Sequence, residues 1–525
     1  MSLLHVSTAA PSAQRTRVTP LLPTRATADW ALWLSLALVT LWVLLGAVVN
    51  DGQWGDHFEQ FVWAHSFELG YHKHPPLPTW LLAAAIQLFG PSPYWAYALA
   101  AACAGGTAFF THRIATRLIG SELAALAILL WGLQQAFSVR AQLFNHNTVM
   151  MLTVSATVWC VLRALSSTHR GWWAAAGCCA GLSMLSKYQS VVPLAGIAVA
   201  LLLTRELAKP AVRSGLLLAI GVAALAFLPH LLWMVHHDFS TLRYAAQPGA
   251  PLTWSARGSS VVSFLAQQLR LLFPALLLAA LLWRLPGLRR PADASTAAND
   301  DRAQWRRAWF IGLILFPLVI TVLTCPTFGV KLQNHWGYQC LQFVALWLAW
   351  RLRSFAHRGG VVLAVLALVV QGAMMTVSAH PAWTPDTDPG RRADLQYPAR
   401  QLAAVVQRDW QAATPCPLML VVGPTFEAGM ISVYNRAQPW VLEGGDRAKS
   451  PWIQADAVQR FGAVYVAQSA QDLPTRGVAS VDSMSIETGS PTRSTPIFWA
   501  VVPPLVCSSQ PDARSLTTDV PAGAL

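Results

Sequence analysis

The sequence predicts a polytopic α-helical membrane protein with about eleven transmembrane helices, interfacial helices in the first outer loop and a small C-terminal α/β domain outside the membrane. Three observations predict it. Of 525 residues, 54% are hydrophobic and 12% charged, a balance too apolar for a soluble chain of this size. The apolar residues gather into successive runs of about 20 residues, the length that crosses a bilayer. The net charge of +13 is also uneven: residues 1–380 hold 26 Lys and Arg against 11 Asp and Glu, whereas residues 381–525 hold 11 against 13. A basic excess in short loops between apolar runs is the bias of cytoplasmic loops, and it argues against nucleic acid as a partner.

In chain order, residues 1–28 are rich in Ser, Thr and Pro, carry Arg15, Arg17 and Arg25, and read as a disordered cytoplasmic tail. The run from Trp30 to Val49 is long enough to span. With no small-residue cleavage site after it, it reads as an uncleaved signal anchor. The chain then emerges outside, and the short apolar stretch at 78–90 reads as a second interfacial helix. Spans follow near 92–113, 121–139, 147–165, 171–187, 190–205, 213–236, 259–284, 308–325, 336–351 and 360–380. This alternation puts Arg113 and Arg117, Arg163 and Arg170, Arg205, Lys209 and Arg213, the stretch from Arg284 to Arg307, and Arg351, Arg353 and Arg358 all inside. The multi-span domain is therefore expected over residues 29–380, with the C-terminal region outside.

Beyond residue 381 the composition turns polar. PARQLAAVVQRDWQ reads as a helix, and LMLVVG, PWVLE, AVYVAQ and FWAVV as short buried strands. EAGMISVYNR and IQADAVQRFG read as helices between them. Residues 381–510 are thus expected to form an extracytoplasmic α/β domain, and residues 511–525 a disordered tail. No GxGxxG or P-loop in it points to nucleotide binding. Cys416 and Cys507 both fall here, where an oxidising compartment would let them pair. Cys103, Cys160, Cys178, Cys179, Cys325 and Cys340 lie in or beside apolar runs, lack zinc-ligand spacing and read as packing residues.

The residues that suggest chemistry share the outer side. Gly55 to Trp80, GDHFEQFVWAHSFELGYHKHPPLPTW, places Asp56, His57, Glu59, His72, Lys73 and His74 just beyond the first span, with Phe58, Phe61, Val62 and Leu69 near helical spacing. Later outer loops add Arg140, Asn145, His146 and Asn147 (RAQLFNHN) and Lys187 and Tyr188 (LSKYQ). Asp238, Arg243 and Tyr244 (HHDFSTLRY) follow, then Lys331, Gln333, Asn334 and His335 (VKLQNHW). Ionisable groups at a membrane face are costly unless solvated or paired, so their common sidedness marks a candidate site. Plain structural roles stand beside this. Asp56, Asn145 and Asn147 precede helical runs and suit caps, His74 can anchor a rigid turn before Pro75-Pro76, and Lys187 can snorkel.

Four motifs stand in order: Asp56 after the first span; Leu69-Gly70-Tyr71 with His74-Pro75-Pro76-Leu77; Phe144 to Val149 (FNHNTV); and Gly181-Leu182 with Ser186-Lys187-Tyr188. Over roughly residues 30–350, and more loosely in the C-terminal domain, the chain resembles the bacterial members of the protein O-mannosyltransferase-like superfamily. These are GT-C fold glycosyltransferases that include the enzyme adding aminoarabinose to lipid A. The resemblance implies a GT-C type membrane domain and a polyprenyl (undecaprenyl) phosphate-linked sugar donor. It implies transfer with inversion to a lipid A, other envelope glycan or protein acceptor at the outer face of the bacterial inner membrane. Asp56 matches the catalytic aspartate that takes the acceptor's proton. His57, Glu59, Lys73, His74, Arg140, Asn145, His146, Asn147, Lys187, Tyr188, Lys331 and His335 are the expected substrate-binding residues. Among them Lys73, His74, Arg140, Lys187 and Lys331 can stabilise a departing phosphate. The lipid tail would need an apolar groove between the Trp- and Leu-rich spans.

Two positions depart from the family pattern. His57 stands where many members have a second acidic residue, and Asn145-His146-Asn147 where many have an aspartate. Loss of that carboxylate weakens a claim to a divalent metal, since hard cations prefer carboxylate oxygen. No cofactor or metal ligand is assigned, and zinc among His57, His72, His74 and His146 stays open as the alternative. Two other functional classes also stay open. A transporter or flippase for a lipid-linked glycan would favour internal repeats and mid-span charges, whereas the sequence shows no repeat and its charges cluster at one face. A non-catalytic scaffold would not need the clustered Asp, His and Lys of the first loop.

Overall fold

A computed structural model describes residues 29–246, 251–284, 300–355, 358–383, 395, 397–487, 494–505 and 507; the tails expected at 1–28 and 511–525 lie outside the described residues. Helices α1 (Asp29–Val49), α2 (Gly55–Trp63), α3 (Leu77–Phe89), α4 (Trp95–Ile119) and α5 (Ser121–Gly132) come first. They are followed by α6 (His146–Leu165), α7 (Gly171–Ser186), α8 (Val191–Leu203), α9 (Pro210–His236), α10 (Ser240–Ala246) and α11 (Trp254–Trp283). Helix α12 (Asp300–Phe310) runs through a π-turn at Ile311–Leu315 into α13 (Phe316–Phe328), and α14 (Tyr338–Leu341), α15 (Val344–Arg351) and α16 (Arg358–Trp383) complete the series.

The predicted spans fall mainly on helix. By length and composition, six helices among the described residues can cross a membrane: Asp29–Val49, His146–Leu165, Pro210–His236, Trp254–Trp283, Arg302–Phe328 and Val361–Ala379. The shorter ones include α5, which stops at Gly132 before a run of turns, and the 336–351 stretch, which breaks between α14 and α15. Contiguous apolar faces point outward, with Leu217 and Leu225 of α9 each 70% exposed, as lipid-facing helices require. Lipid supplies no hydrophobic drive between helices, so close backbone approach has to hold them together. At the α7–α9 contact Gly177 and Gly181, four residues apart, face Ala219, Ala223 and Ala226. A Cβ at Gly181 would sit 2.7 Å from that of Ala226.

The C-terminal part contains α17 (Ala399–Ala413), β1 (Leu420–Gly423), α18 (Thr425–Tyr434), β2 (Trp440–Glu443), α19 (Ala457–Phe461), β3 (Ala463–Ala467), β4 (Ser480–Glu487) and β5 (Ser494–Val502). The sheet order is β2-β1-β3-β5-β4, with β1 parallel to β2 and β3, and β5 antiparallel to β3 and β4. All four expected strands form. The unexpected β4 is an exposed edge strand, SVDSMSIE, whose polar residues give no apolar run to detect. Cys416 and Cys507 form a disulfide that ties the approach to β1 to the chain beyond β5. Closing a loop of this length constrains the unfolded chain by of order 4–5 kcal/mol.

One hydrophobic core joins this sheet to the first outer loop. Phe58, Phe61, Trp63 and Tyr71 pack in the same cluster as Val421, Ile431, Val441 and Trp452. Helix α18 lies so close to α2 that a Cβ at Gly429 would come 2.9 Å from that of Phe58. The α/β layer is therefore docked on the loop that holds Asp56.

Candidate active site

The α2 helix begins after an N-cap at Trp54, so Asp56 is in the first turn and does not cap it. Its carboxylate is exposed and accepts a 2.7 Å hydrogen bond from Asn145 Nδ2. Asn145 is the N-cap of α6: its Oδ1 accepts from the backbone N–H of Asn147 at 2.9 Å and Thr148 at 3.1 Å, and Thr148 Oγ1 accepts from the Asn145 N–H. Those two acceptor bonds fix the amide so that its NH₂ faces Asp56. The same side chain thus caps a helix and orients the carboxylate.

These two roles can be separated. Asn145→Ser retains a cap oxygen but offers no comparable donor to Asp56. Its thermal stability is expected to stay near wild type, while any Asp56-dependent turnover falls about 10–100-fold, the worth of one hydrogen bond to a charged group. Asn145→Ala should lose about 1 kcal/mol of stability as well. Melting curves and initial rates on both variants check this.

Asn147 Oδ1 accepts a 2.7 Å hydrogen bond from Lys187 Nζ, which reaches in from the turn between α7 and α8. Burial lowers the Lys187 pKa to about 8, against the opposing pull of Asp56. Lys73 is held differently: its Nζ lies 2.6 Å from Glu59 Oε2 and 3.8 Å from Glu443 Oε1. Burial works against its charge, but Glu59 and Glu443 outweigh that and raise its pKa. Tyr188 OH sits 2.6 Å from His230 Nε2, and His230 Nδ1 is 2.7 Å from the Leu69 carbonyl. A carbonyl only accepts, so Nδ1 carries the proton and Tyr188 donates to Nε2. This chain of bonds ties the Leu69-Gly70-Tyr71 loop to α9, where a Cβ at Gly70 would run into the Trp233 indole.

A cavity of about 1220 Å³ opens among these groups, and every expected site residue except His57 lines it. His57 is the correction. It is fully buried, with Nδ1 3.0 Å from Gln53 Oε1 and Nε2 accepting from the Phe144 N–H at 2.9 Å. It braces α2 against the backbone just before Asn145 and faces no substrate space. Burial keeps it neutral, with its pKa lowered to about 3. Lys73, Arg140, Lys187 and Lys331 give the cavity wall a cationic excess over Asp56 and Glu59, while Leu143, Val192, Leu252 and Trp336 make part of it apolar. An amphiphilic anion matches that lining.

Two contributors were missed in the sequence. Glu443, 4% exposed at the end of β2, accepts from Trp63 Nε1 at 3.3 Å and lies near both Lys73 and His72. Nothing in its local sequence marks it. His230 could have been found, because an ionisable ring inside a long apolar run is a functional signal in itself.

The apolar helices, the cavity among their connecting loops and the α/β layer docked on the first of those loops make up a multi-pass membrane protein, and its fold is the GT-C glycosyltransferase fold. Residues 73–233 match the family model described as dolichyl-phosphate-mannose-protein mannosyltransferase, which leaves Asp56 just outside the match. The lipid A galacturonosyltransferase RgtD of Rhizobium johnstonii is 25% identical over 318 residues, 59% of this chain and 63% of that protein. The lipopolysaccharide core galacturonosyltransferase RgtB of the same organism is 25% identical over 334 residues, 62% of this chain and 65% of its own length. The matched stretch is under two thirds of each relative. The fold is that of ArnT from Cupriavidus metallidurans, solved bound to undecaprenyl phosphate: the TM-score is 0.57 over 92% of this chain and all of that one, at 14% identity.

Proposed function

We propose that the protein is a glycosyltransferase that moves a sugar from a polyprenyl (undecaprenyl) phosphate donor, with inversion, to an acceptor at the outer face of the bacterial inner membrane. The observation that carries this is the oriented Asp56 carboxylate facing Lys73, Arg140, Lys187 and Lys331 across one partly apolar cavity. In the reaction an acceptor hydroxyl oxygen bonds to the anomeric carbon as the bond to the phosphate oxygen breaks. The hydroxyl proton passes to Asp56, and the electron pair leaves on polyprenyl phosphate. The cations face the oxygen on which negative charge grows, which lowers the barrier. The Cys416–Cys507 disulfide supports an oxidising, periplasmic side for the docked domain and the site. The two curated relatives make lipid A and lipopolysaccharide core the first acceptors to try, and galacturonic acid the first sugar.

The test is an assay of the purified full-length protein in detergent with a panel of undecaprenyl-phosphate sugars and envelope lipopolysaccharide. One donor is expected to release undecaprenyl phosphate only when acceptor is present, with sugar appearing on the acceptor. Movement of intact donor across proteoliposome membranes, with no transfer from any donor, would replace this function with that of a flippase.

A further inference from the structure

Glu59, His74 and His146 bring three donor atoms within 4.8 Å of one another on the cavity wall. They come from α2, the loop before α3 and the first residue of α6, so only the fold unites them. His146 is 4% exposed, and its Nε2 has no hydrogen-bond partner among the described residues. A buried ring nitrogen without a partner is unfavourable, and a cation bound to its lone pair removes that cost. The His74 ring lies beside it, centroids 4.0 Å apart. Glu59 gives Oε2 to Lys73, which leaves its other oxygen for a further partner.

We infer that Glu59, His74 and His146 form a binding site for a divalent cation of the zinc type, open on the side that faces the cavity. Two imidazoles and one carboxylate suit zinc, whereas magnesium and calcium favour oxygen alone. A tetrahedral shell with bonds of about 2.0 Å has ligand atoms about 3.3 Å apart, so the three side chains draw together around the ion. His57 is excluded because both of its nitrogens are engaged, and His72 is turned toward Glu443, 3.7 Å away. The open position would take a water or an anionic oxygen. That it takes a phosphate oxygen of the donor rests on the proposed function, whereas the ion site itself does not.

The experiment uses full-length protein without a histidine tag, stripped with chelator and equilibrated with zinc in detergent, with metal content read by elemental analysis. About one zinc per chain is expected to bind, and Glu59→Gln, His74→Gln and His146→Gln should each weaken it by about 10–100-fold or more. His169→Ala, which changes an exposed histidine elsewhere, should bind as wild type. Monodisperse elution qualifies each variant, and any one that folds is sufficient to decide. Absence of zinc in the wild type, or binding that the folded variants retain in full, overturns the site. The readout involves no sugar transfer, so its failure and failure of the glycosyltransferase function are told apart.

Discussion

Replacing Asp56 with asparagine is expected to slow sugar transfer by about 10²–10⁴-fold while the protein folds and, on the acid side of the Lys187 titration, binds its donor as before. Asparagine has the same shape, and its Oδ1 can still accept the hydrogen bond that Asn145 Nδ2 gives to Asp56 at 2.7 Å. The side chain therefore stays where it is, and only the ability to take up a proton is lost. The nearby carboxylate, Glu59, has one oxygen held 2.6 Å from Lys73, and adding Glu59→Gln to Asp56→Asn reads any transfer it takes over. Asp56 also does not cap α2, so little stability depends on it beyond its place in the positive first turn, about 0.3–1 kcal/mol. Single-turnover release of undecaprenyl phosphate, read beside a melting curve, separates these effects. A rate within about threefold of wild type would remove Asp56 as the base, since general-base catalysis is typically worth far more.

The part of this site that could be read from sequence was its sidedness. Charge alternation depends only on which loops are short and basic, and it assigns Lys73, Arg140, Lys187 and Lys331 to one side without reference to any contact. Their convergence on one cavity belongs to the fold. The one residue the structure moved away, His57, shows how local the remaining signal is. Adjacent residues on a helix point about 100° apart, and on α2 Asp56 faces the cavity while His57 turns to the buried side. His57 sits four residues before Phe61 and hence on the stripe that α2 buries, which the Phe58, Phe61 and Val62 spacing had already drawn. Glu443 is the opposite case. It is 380 residues from the Trp63 indole that it accepts from, and a single carboxylate ending a short strand has no periodicity to betray it. The edge strand β4 escaped for a related reason, because one side of it is solvent and its residues need not be apolar.

Lys187 provides the second large effect, and its pH dependence distinguishes it from the other cations. Lys187→Met is expected to lower kcat/KM for the lipid-linked donor by about 10²–10³-fold, the usual worth of one charged contact to a developing anion. Lysine is cationic below its pKa, and burial brings that value down to about 8 although Asp56 pulls it upward. The free enzyme therefore presents a positive Lys187 below about pH 8 and a neutral one above it. Since kcat/KM reports the free enzyme, it should hold steady on the acid side of this value and fall as pH rises through it. Glu59 on the same cavity wall titrates nearby, because burial raises its pKa to about 7 against the pull of Lys73, so the profile is read in a Glu59→Gln background; the remaining neighbours do not imitate Lys187. His335 is already neutral there, with burial and then Lys187 and Arg140 holding its pKa at about 3, and Lys73 is raised above the ordinary lysine value by Glu59 and Glu443. Arginine keeps its charge at all these pH values, so Lys187→Arg should remove the alkaline decline even if its plateau is lower, because its planar fork does not match the ammonium contact with Asn147. Asp56→Asn, which removes the carboxylate that supports the Lys187 charge, should shift the loss of donor binding to lower pH. A flat wild-type profile from neutral to alkaline pH, or a decline that survives in Lys187→Arg, would take the phosphate contact away from this residue.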